Sequence, residues 1–264
     1  MESVKGIMAE LQERVNLLRQ TKTNHSTQEN LKNLGSNDCP KCKGAEGFFY
    51  KVDGVEYWRD CECVIKRRTE RLIQASQITD SFRQMSFDNF EWKSRPVVVQ
   101  QAFATAFKYA KGFEAVRKER SNGLCLLGNP GAGKTHLLMA TANSLLNRGI
   151  EVIYFPWVEG CADLKASFDL LPEKIYRLQT VEVLYIDDLF KGRQKPTDFQ
   201  LEQIFAIINY RYLNQLPIMI SSEWTIARMC DFDEATGSRI NEMCREYKVV
   251  LDEEGLNYRL KDEV

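Results

Sequence analysis

The chain has 264 residues, 44% hydrophobic and 28% charged, with 36 basic against 37 acidic side chains and a formal net charge of -1. No apolar run approaches the roughly 20 residues of a membrane span, and the balanced charge excludes a global attraction to nucleic acid, so any DNA contact has to be local. The first 30 residues lack a secretory apolar stretch, which predicts a soluble, cytoplasmic protein whose eight cysteines sit in a reducing compartment, where close pairs favour metal over disulfide.

The length and a change of composition along it predict a small N-terminal module over residues 1–75, a linker over 76–96 and a larger domain over 97–264. Near the start, Val4, Ile7, Met8, Leu11, Val15 and Leu18 recur at three- and four-residue steps, one face of a helix. That stripe needs a cover: the chain's own cysteine module, a neighbouring helix or a protein partner. Asp53-Gly54 lies between the runs FFYKV and VEYW, the signature of a hairpin. Residues 64–78 resume a helical pattern whose basic start (Lys66, Arg67, Arg68, Arg71) could meet nucleic acid or protein. Ser81 to Trp92 is aromatic but aperiodic, which suits a strip lying over the next domain.

From residue 97 a helix leads to the strand GLCLLG, a glycine-rich loop and a helix from Lys134. There follow a strand EVIYF, a helix over about 159–178, a strand EVLYIDD, a helix over about 198–213 and a strand PIMISS. Arg228 to Glu246 reads as helix, and the terminal KVVLDEEGLNYRL as two short strands. Strands alternating with helices predict an α/β fold with a parallel, helix-covered sheet.

Gly128 to Thr135 reads GNPGAGKT, the G-x-x-x-x-G-K-T pattern, between an apolar strand and a helix. Glycines let successive N–H groups and the helix N-terminus point at phosphates, Lys134 reaches the β and γ oxygens, and the Thr135 hydroxyl ligates magnesium. The ATP cradle is therefore Gly128, Asn129, Pro130, Gly131, Ala132, Gly133, Lys134, Thr135 and His136. Such a loop needs an acidic strand end, and LYIDD supplies it: Asp187 to hold magnesium through water, Asp188 to polarise the attacking water.

The cysteines form C-P-K-C at Cys39 and Cys42 and C-E-C at Cys61 and Cys63, with 18 residues and the hairpin between the pairs. Four thiolates fill a tetrahedral zinc shell, and a closed shell of that kind is structural. Cys125, Cys161, Cys230 and Cys244 are scattered and read as ordinary buried residues. For DNA, the loop KGRQK offers Lys191, Arg193 and Lys195, joined by Arg211, and Phe155 and Trp157 offer rings that either stack on bases or pack in the core.

The order of phosphate loop, IDD, a strand ending in SS and a late GSR segment resembles the AAA+ ATPases of the bacterial and phage replicative-helicase loader type, the DnaC and DnaI group, over nearly the whole chain. The resemblance implies that SSEW is the first sensor, with Ser222 or Glu223 touching the γ-phosphate or attacking water. Glu223 stands where an Asn is usual, and a carboxylate there is repelled unless it is protonated or turned away. Arg239 in GSRINEM resembles the arginine finger inserted into a neighbour's site, which implies self-association, and Arg259 in LNYRL resembles the second sensor; for either, the bland alternative is a surface ion pair. Loaders of this type carry an N-terminal zinc-binding module that contacts the helicase. The implied function is ATP-dependent delivery of a hexameric replicative DNA helicase to single-stranded DNA, with ATP, Mg2+ and Zn2+ as cofactors. The alternatives are a transposition helper of the IstB type, acting with a transposase on duplex DNA, and a nucleotide-gated binding module with little turnover.

Overall fold

A computed structural model describes residues 39–166, 168–192 and 194–260. The amphipathic stripe from Val4 to Leu18 and the expected DNA contact Arg193 lie outside the described residues. The chain divides into two compact units at Cys63 and Val64.

In the first unit β1 (Gly47–Val52) pairs antiparallel with β2 (Val55–Asp60), with Val52 opposite Val55. Asp53 and Gly54 both take positive φ, 51° and 83°, the two-residue turn whose twist matches that of the strands. Phe49 meets Trp58 edge-on and Tyr50 stacks on Tyr57 across the ribbon, yet these rings remain largely exposed, Phe49 at 70%.

In the second unit the described strands form one parallel sheet in the order β4-β5-β6-β3-β7: β3 (Leu124–Gly128), β4 (Val152–Pro156), β5 (Val183–Asp187), β6 (Ile218–Ser222) and β7 (Lys248–Leu251). All five residues of β3 are buried. Because successive side chains alternate faces, Leu124 and Leu126 join one core with α3 (Val97–Val116) and α4 (Lys134–Asn147). Cys125 and Leu127 join the other core, under α5 (Trp157–Ala166), α6 (Leu171–Thr180) and α7 (Asp198–Leu213). Phe155 and Trp157, considered above for base stacking, belong to that second core at 6% and 3% exposure.

Three elements depart from expectation. The helix over 159–178 is two, α5 and α6, parted by a 3-10 turn at Phe168–Leu170, where Pro172 opens α6 because it cannot donate to a continuing helix. The helix over 228–246 is also two, α8 (Ile226–Phe232) and α9 (Glu234–Met243). Asp233 parts them, its carboxylate accepting from the Ala235 N–H at 3.1 Å and the Thr236 hydroxyl at 2.5 Å as an N-cap. The terminal segment holds one strand, β7, and then a 3-10 turn at Tyr258–Leu260, with Gly255 at φ 74° between them. Ahead of the sheet, α1 (Glu62–Ala75) and the short α2 (Asp80–Arg83) lead into residues 84–96. Across residues 76–96 Ile78 and Phe90 are buried in the first core, and the Tyr154 N–H donates to the Ser76 carbonyl along the outer edge of β4.

Arg211, expected on DNA, is fully buried. Its guanidinium donates to the carbonyls of Leu178, Gln179, Val181, Glu182 and Pro217 at 2.6–3.3 Å. A planar, permanently charged fork suits this cluster, since it satisfies the open carbonyls at the C-terminus of α6 and complements the helix dipole. Arg211→Met strands those acceptors and is expected to cost at least about 3 kcal/mol; a urea midpoint equal to that of the unaltered chain would refute this structural role.

Candidate nucleotide site and metal centre

The phosphate loop spans the end of β3 and the start of α4. Gly128 has φ 113°, and a Cβ there would sit 2.5 Å from the Leu251 carbonyl carbon; Gly133 has φ 102°, and a Cβ would sit 2.7 Å from the Phe90 ring. Only glycine takes that backbone in that space. Lys134 is buried, and its ammonium donates to the carbonyls of Gly128 and Asn129, both at 2.8 Å. Burial, opposed by the charges of Asp188 and Glu223, holds it below the ordinary lysine value. The loop thus presents backbone N–H groups and an ammonium at a helix N-terminus, the donor set for phosphates.

Asp187 ends β5 beside the loop. Its Oδ1 accepts from the Thr135 hydroxyl at 3.1 Å, the Tyr185 phenol at 2.7 Å and the Ser221 hydroxyl at 2.5 Å, while Oδ2 accepts from the Tyr154 phenol at 3.2 Å. Burial and the Asp187 charge push both phenols well above their usual range, so they stay protonated as donors. A hydroxyl and a carboxylate oxygen side by side form the hard oxygen set that suits magnesium. Tyr154, Tyr185 and Ser221 were absent from the sequence reading, although Tyr185 stands two residues before Asp187 on the same face of β5 and opposite Tyr154 in register.

Ser222 does not reach the nucleotide site. Its hydroxyl donates to the Leu189 carbonyl at 2.7 Å and accepts from the Trp224 N–H at 3.0 Å. Strand alternation is the reason: Ser221, one residue earlier, faces the acids, and its oxygen also accepts from the Asp188 N–H at 2.7 Å. Asp188 itself has φ 55°, and its carboxylate binds the Lys191 ammonium at 2.8 Å. Lys191 lies 3.3 Å from Glu223 as well, so its ammonium sits between two carboxylates at the border of the cavity while the side chain remains 42% exposed.

A cavity of about 450 Å³ brings these groups together, with Gly131, Lys134, Thr135, Asp187, Asp188, Lys191 and Glu223 in its lining. Phe82, Met85, Phe90 and Arg95 from the aromatic strip, with Tyr258 and Arg259 from the C-terminal segment, line it too. Arg259, which resembles the second sensor, thus borders the cavity that holds the phosphate loop. His136 borders the cavity, but its Nε2 lies 3.0 Å from both the Ser86 carbonyl and Asn89 Oδ1, so its polar edge is committed to the strip. Arg239 is outside the cavity, on α9, donating to the Ala235 carbonyl at 2.7 Å and lying over the rings of Phe205 and Tyr212. Lys195, Lys66, Arg68 and Arg71 are exposed, whereas Arg67 is half-buried.

The four cysteine sulfurs of the first unit lie within 4.8 Å of one another. Cys39 and Cys61 are 3.7 Å apart and Cys42 and Cys63 3.5 Å, close to the roughly 3.8 Å edge of a tetrahedron with 2.3 Å metal–sulfur bonds. The Lys43 N–H donates to the Cys39 carbonyl at 2.7 Å and the Cys61 N–H to the Glu46 carbonyl at 2.8 Å, closing each end. The backbone N–H groups of Cys42 and Lys41 bring the Cys39 thiol down to about 6, while desolvation and the neighbouring thiols push Cys63 up to about 12. Sulfurs this close do not all ionise together without a cation, and the donor set fits one tetrahedral divalent metal. The other four cysteines are buried except Cys230, which is half-buried.

A parallel sheet with the phosphate loop after β3 and the acid pair after β5 defines a P-loop protein of the AAA+ type. The chain belongs to the family of IstB-like ATP binding proteins, whose model matches residues 56–261. It is 45% identical over 230 residues to the phage-like element PBSX protein XkdC of Bacillus subtilis (strain 168), covering 85% of this chain and 86% of that protein. It is 26% identical over 182 residues to the replicative helicase loader DnaI of Bacillus subtilis (strain 168), covering 65% of this chain and 55% of that protein. The crystal structure of the DnaC helicase loader superposes with a TM-score of 0.55 at 24% identity, covering 66% of this chain and all of that one, a likeness of fold.

The cage around Asp187 is testable against Ser222. Tyr185→Phe removes one donor and is expected to weaken magnesium-dependent ATP binding about five- to tenfold, whereas Ser222→Ala leaves it unchanged. Calorimetric titration with and without magnesium reads both, and a larger loss in Ser222→Ala would reverse the assignment.

Proposed function

We propose that this chain is an ATP-hydrolysing loader that delivers a hexameric replicative DNA helicase to single-stranded DNA. The observation that carries the reading is the pairing of a four-cysteine module, displaying an exposed aromatic ribbon, with an AAA+ ATPase whose relatives include a protein named as a replicative helicase loader. Exposed aromatic surface of this kind marks a protein contact. In this reading residues 1–75 grip the helicase, 76–96 connect, and 97–264 bind and hydrolyse ATP.

Lys134 and the loop N–H groups hold the phosphates, Thr135 and Asp187 would hold magnesium, and Asp188 accepts the proton of the attacking water. Magnesium, when bound, would supply positive charge against the transferring phosphoryl group. Arg239 acts across a subunit contact and Arg259 within the site. Zinc on Cys39, Cys42, Cys61 and Cys63 holds the ribbon in its folded form. Arg193 and Lys195 in the loop after β5 and the basic side chains of α1 are candidates for DNA.

The family match favours a second reading, a transposition helper acting on duplex DNA, since it takes in the ATPase region. The same match begins at residue 56, downstream of Cys39 and Cys42, and those cysteines weigh toward the loader. Full-length protein mixed with a hexameric helicase is expected to co-elute in size-exclusion chromatography with light scattering, and a chain beginning at Val64 is expected not to. Co-elution by neither, with preference for duplex over single-stranded DNA, selects the transposition reading. Elemental analysis of the purified chain is expected to give about one zinc per chain, lost together with helicase binding in Cys39→Ser; full binding by metal-free protein would remove zinc from the grip.

A further inference from the structure

Glu223 poses a physical problem where it stands. It follows β6, next to the acid pair after β5, and borders the same cavity as Lys134 and Asp188. An unpartnered carboxylate there repels a triphosphate. The structure supplies the partner: Lys191, at the far side of the β5 turn, lies 2.8 Å from Asp188 Oδ2 and 3.3 Å from Glu223 Oε1. Its side chain is 42% exposed, so it is held by charge rather than walled in by packing.

Resting on the reading of this cavity as an ATPase site, we infer that Lys191 and Glu223 together are the γ-phosphate sensor of this chain, with Lys191 as the phosphate ligand and Glu223 as the positioning residue that holds it.

The charge balance argues for the pair. Asp187, Asp188 and Glu223 bring three negative charges to this end of the cavity, and Lys134 and Lys191 bring two positive ones. Without Lys191 the incoming γ-phosphate faces two uncompensated carboxylates instead of one.

The same contacts give an order of events. Before nucleotide arrives, Lys191 occupies Asp188 and blocks it as a base. A phosphate oxygen is the stronger attractor for an ammonium, so the γ-phosphate draws Lys191 off Asp188 while Glu223 keeps it at the cavity wall. Asp188 is then free to accept a proton from water as the water oxygen bonds to the γ-phosphorus. The bond from that phosphorus to the β–γ bridging oxygen breaks, and its electron pair leaves with ADP. Release of Asp188 is thus conditional on a γ-phosphate, which is what a sensor does.

The test measures ATP and ADP affinity and kcat on the full chain. Lys191→Met is expected to weaken ATP about ten- to hundredfold, to leave ADP affinity unchanged and to lower kcat, with Lys191→Arg recovering ATP affinity. Lys191→Met combined with Glu223→Gln is expected to regain ATP affinity, because the repelling carboxylate is gone, but not kcat. Equal losses for ATP and ADP in Lys191→Met, or no regain in the double variant, overturn the pair as a sensor. A wild-type chain that neither binds nor hydrolyses ATP would overturn the ATPase reading itself, whereas an active wild type matched by Lys191→Met rejects this inference alone.

Discussion

The nucleotide site depends on how Asp187 is held. A carboxylate at the end of a buried strand needs donors in place of the water it has lost. Here four hydroxyls do so, from Thr135 at the start of α4, Tyr154 on β4, Tyr185 on β5 and Ser221 on β6. Three neighbouring strands and the loop helix therefore meet on one group. The parallel register brings those strands to their C-terminal ends together, where an open α/β sheet places its ligands. A slip of one residue in β6 that put Ile220 in the place of Ser221 would leave Asp187 short of a donor.

Residues 84–96 and the segment after β7 complete the cavity lining. The Asn129 N–H donates to the Leu251 carbonyl at 2.7 Å and the Tyr258 N–H to the Gly131 carbonyl at 3.1 Å, so the C-terminal segment lies across the loop. Arg95 reaches the Leu256 carbonyl at 2.9 Å and lies over the Tyr258 ring, while the Tyr258 hydroxyl donates to Glu91. The strip that precedes the ATPase helices and the segment that follows β7 thus clasp each other beside the phosphates. Phe90 adds a ring against Gly133 and against His136.

This arrangement explains why some site residues could be read from the sequence and others could not. The phosphate loop, the IDD strand end and the paired cysteines are local patterns in which spacing alone dictates the chemistry: glycines for the bend, an ammonium and hydroxyl at a helix start, thiols two or three residues apart. Arg211 and Lys191 carry no such signal. A cation in a polar stretch reads as solvent-facing, and only the fold shows that Arg211 ends among five carbonyls and Lys191 between two carboxylates.

The amino-acid sequence by itself determined the parallel α/β class, the position of the phosphate loop, the acidic partner at Asp187 and Asp188, the Asp53-Gly54 hairpin and the cysteine set, because each rests on periodicity or on contacts among near neighbours. Tertiary structure decided which serine faces the acid, which lysine sits between the carboxylates, how the strip and C-terminal segment meet beside the phosphate loop, and where two expected helices break. Those outcomes depend on strand register and on contacts between residues up to 167 positions apart, such as Glu91 and Tyr258, and a pairing at that separation leaves no mark in local pattern because it is settled by which buried groups need a donor once the sheet has formed.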